Sequence, residues 1–204
     1  MPAADLQEDL DNASGWATTW RFTFSAKKSK AVPFSRHKEL SDDSYRLGTS
    51  RMIASSSYKY LGVTFNHRLN WDDHFAELLV RVRRSTSAIA DVILRTSAPT
   101  PKAVREVVRA ICCAQVSYGM PVWEPSAVQC EQLDNLLAKP FKRLLGLPDR
   151  TPSLAVLNEF GCLGTKRLHL RAAATFAYRM ESLALTHPAR QCWERALRDP
   201  IRST

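Results

Sequence analysis

The residues best suited to acid–base or metal chemistry are the histidines His37, His67, His74, His169 and His187 and the adjacent carboxylates Asp42-Asp43 and Asp72-Asp73. No two histidines stand at a metal-ligand spacing. Asp42-Asp43 lies in a polar, turn-like stretch and Asp72-Asp73 opens an apolar-periodic run, so a solvated turn and a helix start are the expected roles rather than paired metal binding. The few glycines form no phosphate-cradling loop, and Gly-x-Ser-x-Gly is absent. Cys112, Cys113, Cys130, Cys162 and Cys192 are odd in number and include no Cys-x-x-Cys pair, which argues against a disulfide framework or a zinc ribbon. An intracellular, reducing compartment is expected, and no cofactor bound by this chain itself.

The chemistry that stands out is cationic. Residues 1–19 carry Asp5, Glu8, Asp9 and Asp11 and no Lys or Arg, whereas residues 20–39 carry Arg21, Lys27, Lys28, Lys30, Arg36 and Lys38 against Glu39. Within a chain of net charge +9, that swing draws a polyanion to a defined stretch rather than to an even coat. A second group, Arg81, Arg83, Arg84 and Arg95, follows on one predicted helix, where it could track a phosphate backbone. Lys166, Arg167 and Arg171 come later, and the sequence alone does not assign them a partner. Trp123 and Trp193 sit in apolar or helical sequence and read as core anchors instead of base-stacking platforms.

The elements that must position these residues change character near residue 70. Leu6, Leu10, Ala13, Ala17 and Trp20 recur at helical steps, predicting a helix over 3–20 with one buried face. Extended pieces are expected at Arg21–Ser25 and Ala31–Ser35, at Tyr45–Leu47 and Met52–Ile53, and over Tyr58–Phe65, where Gly62 marks a tight turn. After Trp71 the period becomes about 3.6. Phe75, Leu78, Leu79, Val82, Ile89, Val92 and Ile93 predict a long helix, with Asp72 and Asp73 at its start in accord with the helix dipole. Further helices are expected from Pro101, from Ala127 to Leu145 with Pro140 kinking or splitting it, from a Thr151-Pro152 cap to Phe160 and Gly161, over Thr165–Leu185, and after Pro188. The fold class is α+β: a small antiparallel sheet, then helices. No apolar run is long enough to cross a bilayer, so no membrane partner is expected.

One ordered string rises above background. Trp16 and Trp20 end the first helix; Phe22-Thr23-Phe24-Ser25-Ala26-Lys27-Lys28-Ser29-Lys30-Ala31-Val32-Pro33-Phe34-Ser35 follows; then come Tyr58-Lys59-Tyr60-Leu61-Gly62-Val63-Thr64-Phe65, Leu69-Asn70-Trp71 and His74. Ser117-Tyr118-Gly119-Met120-Pro121-Val122-Trp123 and Leu144-Leu145-Gly146-Leu147-Pro148, with Thr151-Pro152, continue it. The string resembles the non-LTR (LINE-type) retrotransposon reverse transcriptases over about residues 5–185. In that family a Trp-Gly-Leu-x-Phe-Asn-x-x-Lys-Thr stretch follows the catalytic Ala-Asp-Asp turn, and a Tyr-Leu-Gly-Val strand leads into a helical thumb.

The resemblance implies the C-terminal part of a polymerase palm over 1–70, a helical thumb over 71–147 and a helical extension over 148–204. The palm aspartates that hold Mg²⁺ in the intact family enzyme have no counterpart here, for neither Ala-Asp-Asp nor Val-Asp-Asp occurs. Lys28 falls on the family's lysine near the nucleotide phosphates, a possible phosphate contact or proton donor in the intact enzyme. Tyr60-Leu61-Gly62 falls on the element gripping the primer end. Arg21, Ser25 and Ser29 replace the family's Gly, Asn and Thr, departures that bear on the loop's geometry. The implied partners are an RNA template, a DNA primer duplex and the missing N-terminal half of the polymerase, whose absence would leave an exposed sheet edge. Two rival readings use the same residues: a non-enzymatic nucleic-acid-binding protein derived from a retroelement, and a helical protein-interaction module with incidental charge.

Overall fold

The computed structural model describes residues 3–25, 28–34, 45–96 and 99–198. Its architecture is α+β, with helices dominating and strands confined to short two-stranded ladders. The chain separates into two compact units, Met1–Ala76 and Glu77–Thr204.

The first unit opens with α1 (Ala3–Thr19). Only Ala17 of its predicted face is fully buried; Leu10 and Ala13 are half-buried, and Leu6 and Trp20 are exposed. Polar contacts do much of the docking. The Gln7 amide pairs with both backbone groups of Arg46, donating to its carbonyl and accepting from its N–H at 3.0 Å each, and Ser14 Oγ accepts from Gly48 N at 2.9 Å. The strands are β1 (Lys30–Ala31), β2 (Arg46–Leu47), β3 (Ser50–Arg51), β4 (Ile53–Ala54), β5 (Ser57–Tyr60) and β6 (Val63–Asn66). Among them β2–β3 and β5–β6 are antiparallel hairpins, whereas β1 runs parallel to β4, a pairing the period-two pattern could not reveal.

The expected strand over Arg21–Ser25 does not form. The helix end consumes it: Trp20 N, Arg21 N and Phe22 N bond back to the Trp16, Thr18 and Ala17 carbonyls, and Arg21 takes a left-handed φ of 57°. Of the piece expected at Ala31–Ser35, Ala31 lies in β1, and Ser35 is outside the described residues. Each ladder has two strands, fewer than an independent sheet needs. Unpaired edges and the exposed Trp16, Trp20, Phe22, Phe24 and Phe34 accompany them.

The start of α2 (Asp72–Arg95) closes this unit with a polar corner. His74, 2% exposed, accepts the Thr64 N–H at Nδ1 across 3.3 Å. Asn66 donates to Asp73 and Asn70 and accepts from Asn70 N, and Trp71 meets Phe65 and His74 edge-on. Leu69-Asn70-Trp71 and His74 therefore serve to lock β6 to the helix start.

In the second unit α2 buries Leu78, Val82, Thr86, Ala90 and Ile93. Val92, expected on this stripe, is exposed; Thr86 takes part because its hydroxyl is satisfied by the Arg83 carbonyl at 3.1 Å. The next helix begins as expected at Pro101, with Thr100 Oγ1 accepting from Ala103 N. It runs as α3 (Pro101–Val107), a π turn (Val108–Cys113) and α4 (Ala114–Ser117). The π turn has a packing cause. Val104, Val108, Cys112 and Val116 are all buried at four-residue steps, and a regular α-helix drifts about 40° off such a stripe at each step. The wider turn keeps it straight.

Around α5 (Ala127–Leu144) pack α3, α6 (Ser153–Glu159) and α7 (Thr165–Glu181), and α8 (Pro188–Arg198) lies on α7. A Ser126–Gln129 capping box starts α5. The helix continues unsplit through Pro140, which is buried beside Leu137 and Phe141; packing outweighs the missing N–H so near the helix end. Gly146 and Gly161 end α5 and α6 at φ 64° and 63°. Thr151 does not cap α6; Pro152 occupies that position without a side-chain bond. The α7 helix stops at Glu181, short of Leu185.

Asp134 of α5 reaches across to cap α7: its Oδ1 accepts from Thr165 N and Thr165 Oγ1, both at 2.7 Å. Burial pushes its pKa above the usual carboxylate value, and the two Thr165 bonds oppose that rise. The folded pKa thus exceeds the unfolded one, so the folded unit holds more protons between them, and stability falls as pH rises through that window. Asp134→Asn, which keeps the acceptor and drops the charge, is expected to flatten this pH dependence in urea melts. Asp134→Ala is expected to lose about 1–2 kcal/mol at acid and neutral pH alike. An Asn variant with an unchanged pH profile would contradict the assignment.

Candidate nucleic-acid interface

Site residues fall in both units. In the first, the Ser25 carbonyl gathers a tight turn by accepting from Lys28 N, Ser29 N and Ser29 Oγ at 2.9, 3.0 and 3.0 Å. The hydroxyl at position 29 thus closes the turn. Lys27 lies outside the described residues; Lys28 and Lys30 are exposed, the latter on β1. Tyr58 of β5 donates its hydroxyl to the Lys28 carbonyl at 3.2 Å, fixing the turn to the β5–β6 hairpin. Strand alternation puts Tyr60 on the same hairpin face as Tyr58. The Lys28 turn is thereby tied to the strand that carries Tyr60, and Tyr58 is the connecting residue that sequence reasoning passed over. Its signal was the Tyr-x-Tyr alternation.

The hairpin tip is Leu61-Gly62, with φ of 46° and 83°, the two-residue I′ pattern that Asn-Gly normally fills. Leucine there costs roughly 1–2 kcal/mol of backbone strain, and its side chain is 72% exposed. Strain carried by an exposed apolar side chain points to contact instead of folding. Arg21, exposed and charged, is likewise left-handed, where the resembled motif has glycine.

In the second unit, Arg84 and Arg95 face away from the buried stripe of α2, while Arg81, half-buried, and Arg83, exposed, flank it on opposite sides. The arginines do not form a single line. Asp91 shares the outward face with Arg84 and Arg95, so this face is mixed in charge. No ion pair involves Arg81, Arg83 or Arg84 among the described residues.

Other chemistry is poorly supported. Burial raises the Cys112 and Cys113 thiols to about 11 and about 12, far from thiolate character at neutral pH. His67 meets the Ser56 carbonyl, His187 accepts from Ala189 N, and Trp123 is buried. Asp72 and Asp73 occupy the first turn of α2, and no cluster of three or more metal-ligating side chains occurs among the described residues.

Over 144 residues, 70% of the chain, the sequence is 24% identical to the RNA-directed DNA polymerase from mobile element jockey of Drosophila melanogaster. The chain is similar to a mobile-element polymerase. It spans only 16% of that relative's length. No family model and no solved structure matches it. Among the described residues no helix is long and apolar enough to cross a membrane.

Proposed function

We propose that this chain is the C-terminal part of a non-LTR retrotransposon reverse transcriptase that holds the RNA template–DNA primer duplex. Residues 1–70 would complete the palm, 71–147 form the thumb and 148–204 extend it. The 144-residue similarity to a mobile-element polymerase carries this reading. The Lys28 turn bound to Tyr58, the strained Leu61-Gly62 tip and the α2 arginines supply cations and contact points for the duplex.

Among the described residues no three or more carboxylate, histidine or cysteine side chains gather as the Mg²⁺ site of the intact family enzyme requires, and this reading assigns the metal-binding carboxylates to polypeptide outside this sequence. The chain alone is expected to give no primer extension on an RNA template with Mg²⁺, yet to bind an RNA–DNA hybrid with affinity falling steeply as salt rises. Extension abolished by inhibitors of reverse transcription would overturn the first expectation, and salt-insensitive binding the second.

One observation favours the protein-interaction reading. An apolar groove of about 380 Å³ lies between α2 and the α3–π segment, lined by Ile89, Val92, Val104, Val107 and Ile111 among others. Partner binding that no polyanion competes would support that alternative.

A further inference from the structure

Helix α7 carries bases that the duplex reading leaves unused. Its inner arc is His169, Ala172, Ala173, Ala177 and Met180, with His169, Ala172, Ala173 and Ala177 half-buried. At about 100° per residue, Arg167, Arg171, Ala174 and Tyr178 fall on the opposite arc, spanning about 17 Å of helix at 1.5 Å per residue. Arg167 and Arg171 are exposed, Tyr178 is 76% exposed and Leu170 beside them is 57% exposed. Neither arginine has an ion pair among the described residues. Glu181, one turn beyond Tyr178, is the first carboxylate on this arc. The outward face of α2, by contrast, interleaves Arg84 and Arg95 with Asp91.

We infer that Arg167, Arg171 and Tyr178 form a second nucleic-acid surface, built for a single strand. The two guanidiniums stand one helical turn apart, where each can take a phosphate in a bidentate grip. Tyr178, on the same line, offers a ring face, which a paired base in a duplex cannot reach but an unpaired one can stack on. Ala174 between them leaves room for the strand to lie close. The inference rests on the chain being a nucleic-acid binder but uses none of the residues assigned to the duplex.

Binding of the full chain to oligo-U, oligo-dT and an RNA–DNA hybrid, measured by anisotropy over a salt series, tests it. Arg167→Ala with Arg171→Ala should make the single-strand salt slope shallower by about 1.4, two phosphates at about 0.7 each. Tyr178→Ala should weaken single-strand binding about tenfold with no change of slope, and Tyr178→Phe should restore it. Hybrid affinity should stay within twofold in all three, with circular dichroism showing an intact fold. Preference between the RNA and DNA arms identifies the strand. Unchanged single-strand binding would overturn the surface; equal losses on hybrid and single strand would reduce it to general attraction; competition by an acidic peptide better than by oligonucleotide would assign it to a protein. If substitutions in α2 leave the hybrid untouched while the α7 variants lose the single strand, this inference stands and the duplex reading falls; with the opposite pattern the duplex reading stands and the α7 surface falls.

Discussion

Replacing Arg81, Arg83 and Arg84 together by alanine is expected to make the slope of log K against log salt for an RNA–DNA hybrid shallower by about 2.7, each lost phosphate contact removing about 0.9. Arg84 faces away from the buried stripe and the other two flank it, so their long side chains must converge on a backbone running across the helix. None is paired with a carboxylate among the described residues, so no ion pair has to break before a phosphate binds. Lysine at the three positions should retain most of the slope, because the charge is what releases counterions. An unchanged slope in the alanine variant would remove α2 from the interface.

The second large effect is on stability. Phe141, fully buried in α5, stacks on Phe160 with centroids 4.2 Å apart and planes 24° apart. Phe141→Ala deletes a ring at the contact of α5 with α6 and is expected to cost about 3–5 kcal/mol. That is a large share of the roughly 5–15 kcal/mol typical of a whole domain. Phe141→Leu, which keeps most of the volume, should cost markedly less. A urea midpoint for Phe141→Ala within error of the parent would mean that α6 is not held through this ring.

Elements whose cause is local were legible in the sequence. Pro101 after Thr100, Gly146, Gly161 and Pro188 mark helix ends by backbone chemistry alone, and the structure keeps each. Readings that depended on distant partners fared less well. Arg21–Ser25 has the composition of a strand, but the closing of α1 takes its first backbone groups. The parallel match of β1 with β4 is decided by what the intervening chain allows, and two residues carry no sign of it. The Asp134–Thr165 bond joins residues 31 apart in sequence, so neither predicts the other.

At the candidate interface the sequence offered residues one by one, and their grouping came only with the structure. Tyr58 had to be seen reaching Lys28 before the turn and the hairpin could be treated as one feature. On α2, the count of arginines suggested a single track, whereas helical geometry distributes them around three sides. The α7 arc was invisible until the half-buried alanines showed which side faces inward.

The π turn at Val108–Cys113 amounts to one surplus residue absorbed without interrupting the helix. Excising a single residue there would let an ordinary α-helix close the gap. Because the bulge already absorbs that residue, everything downstream would keep its facing, and Val116, Met120 and Trp123 would stay turned to the core. A lineage carrying this bulge can thus shed one codon from the segment and keep its core, whereas a further codon left unabsorbed would turn Val116, Met120 and Trp123 away by about 100°.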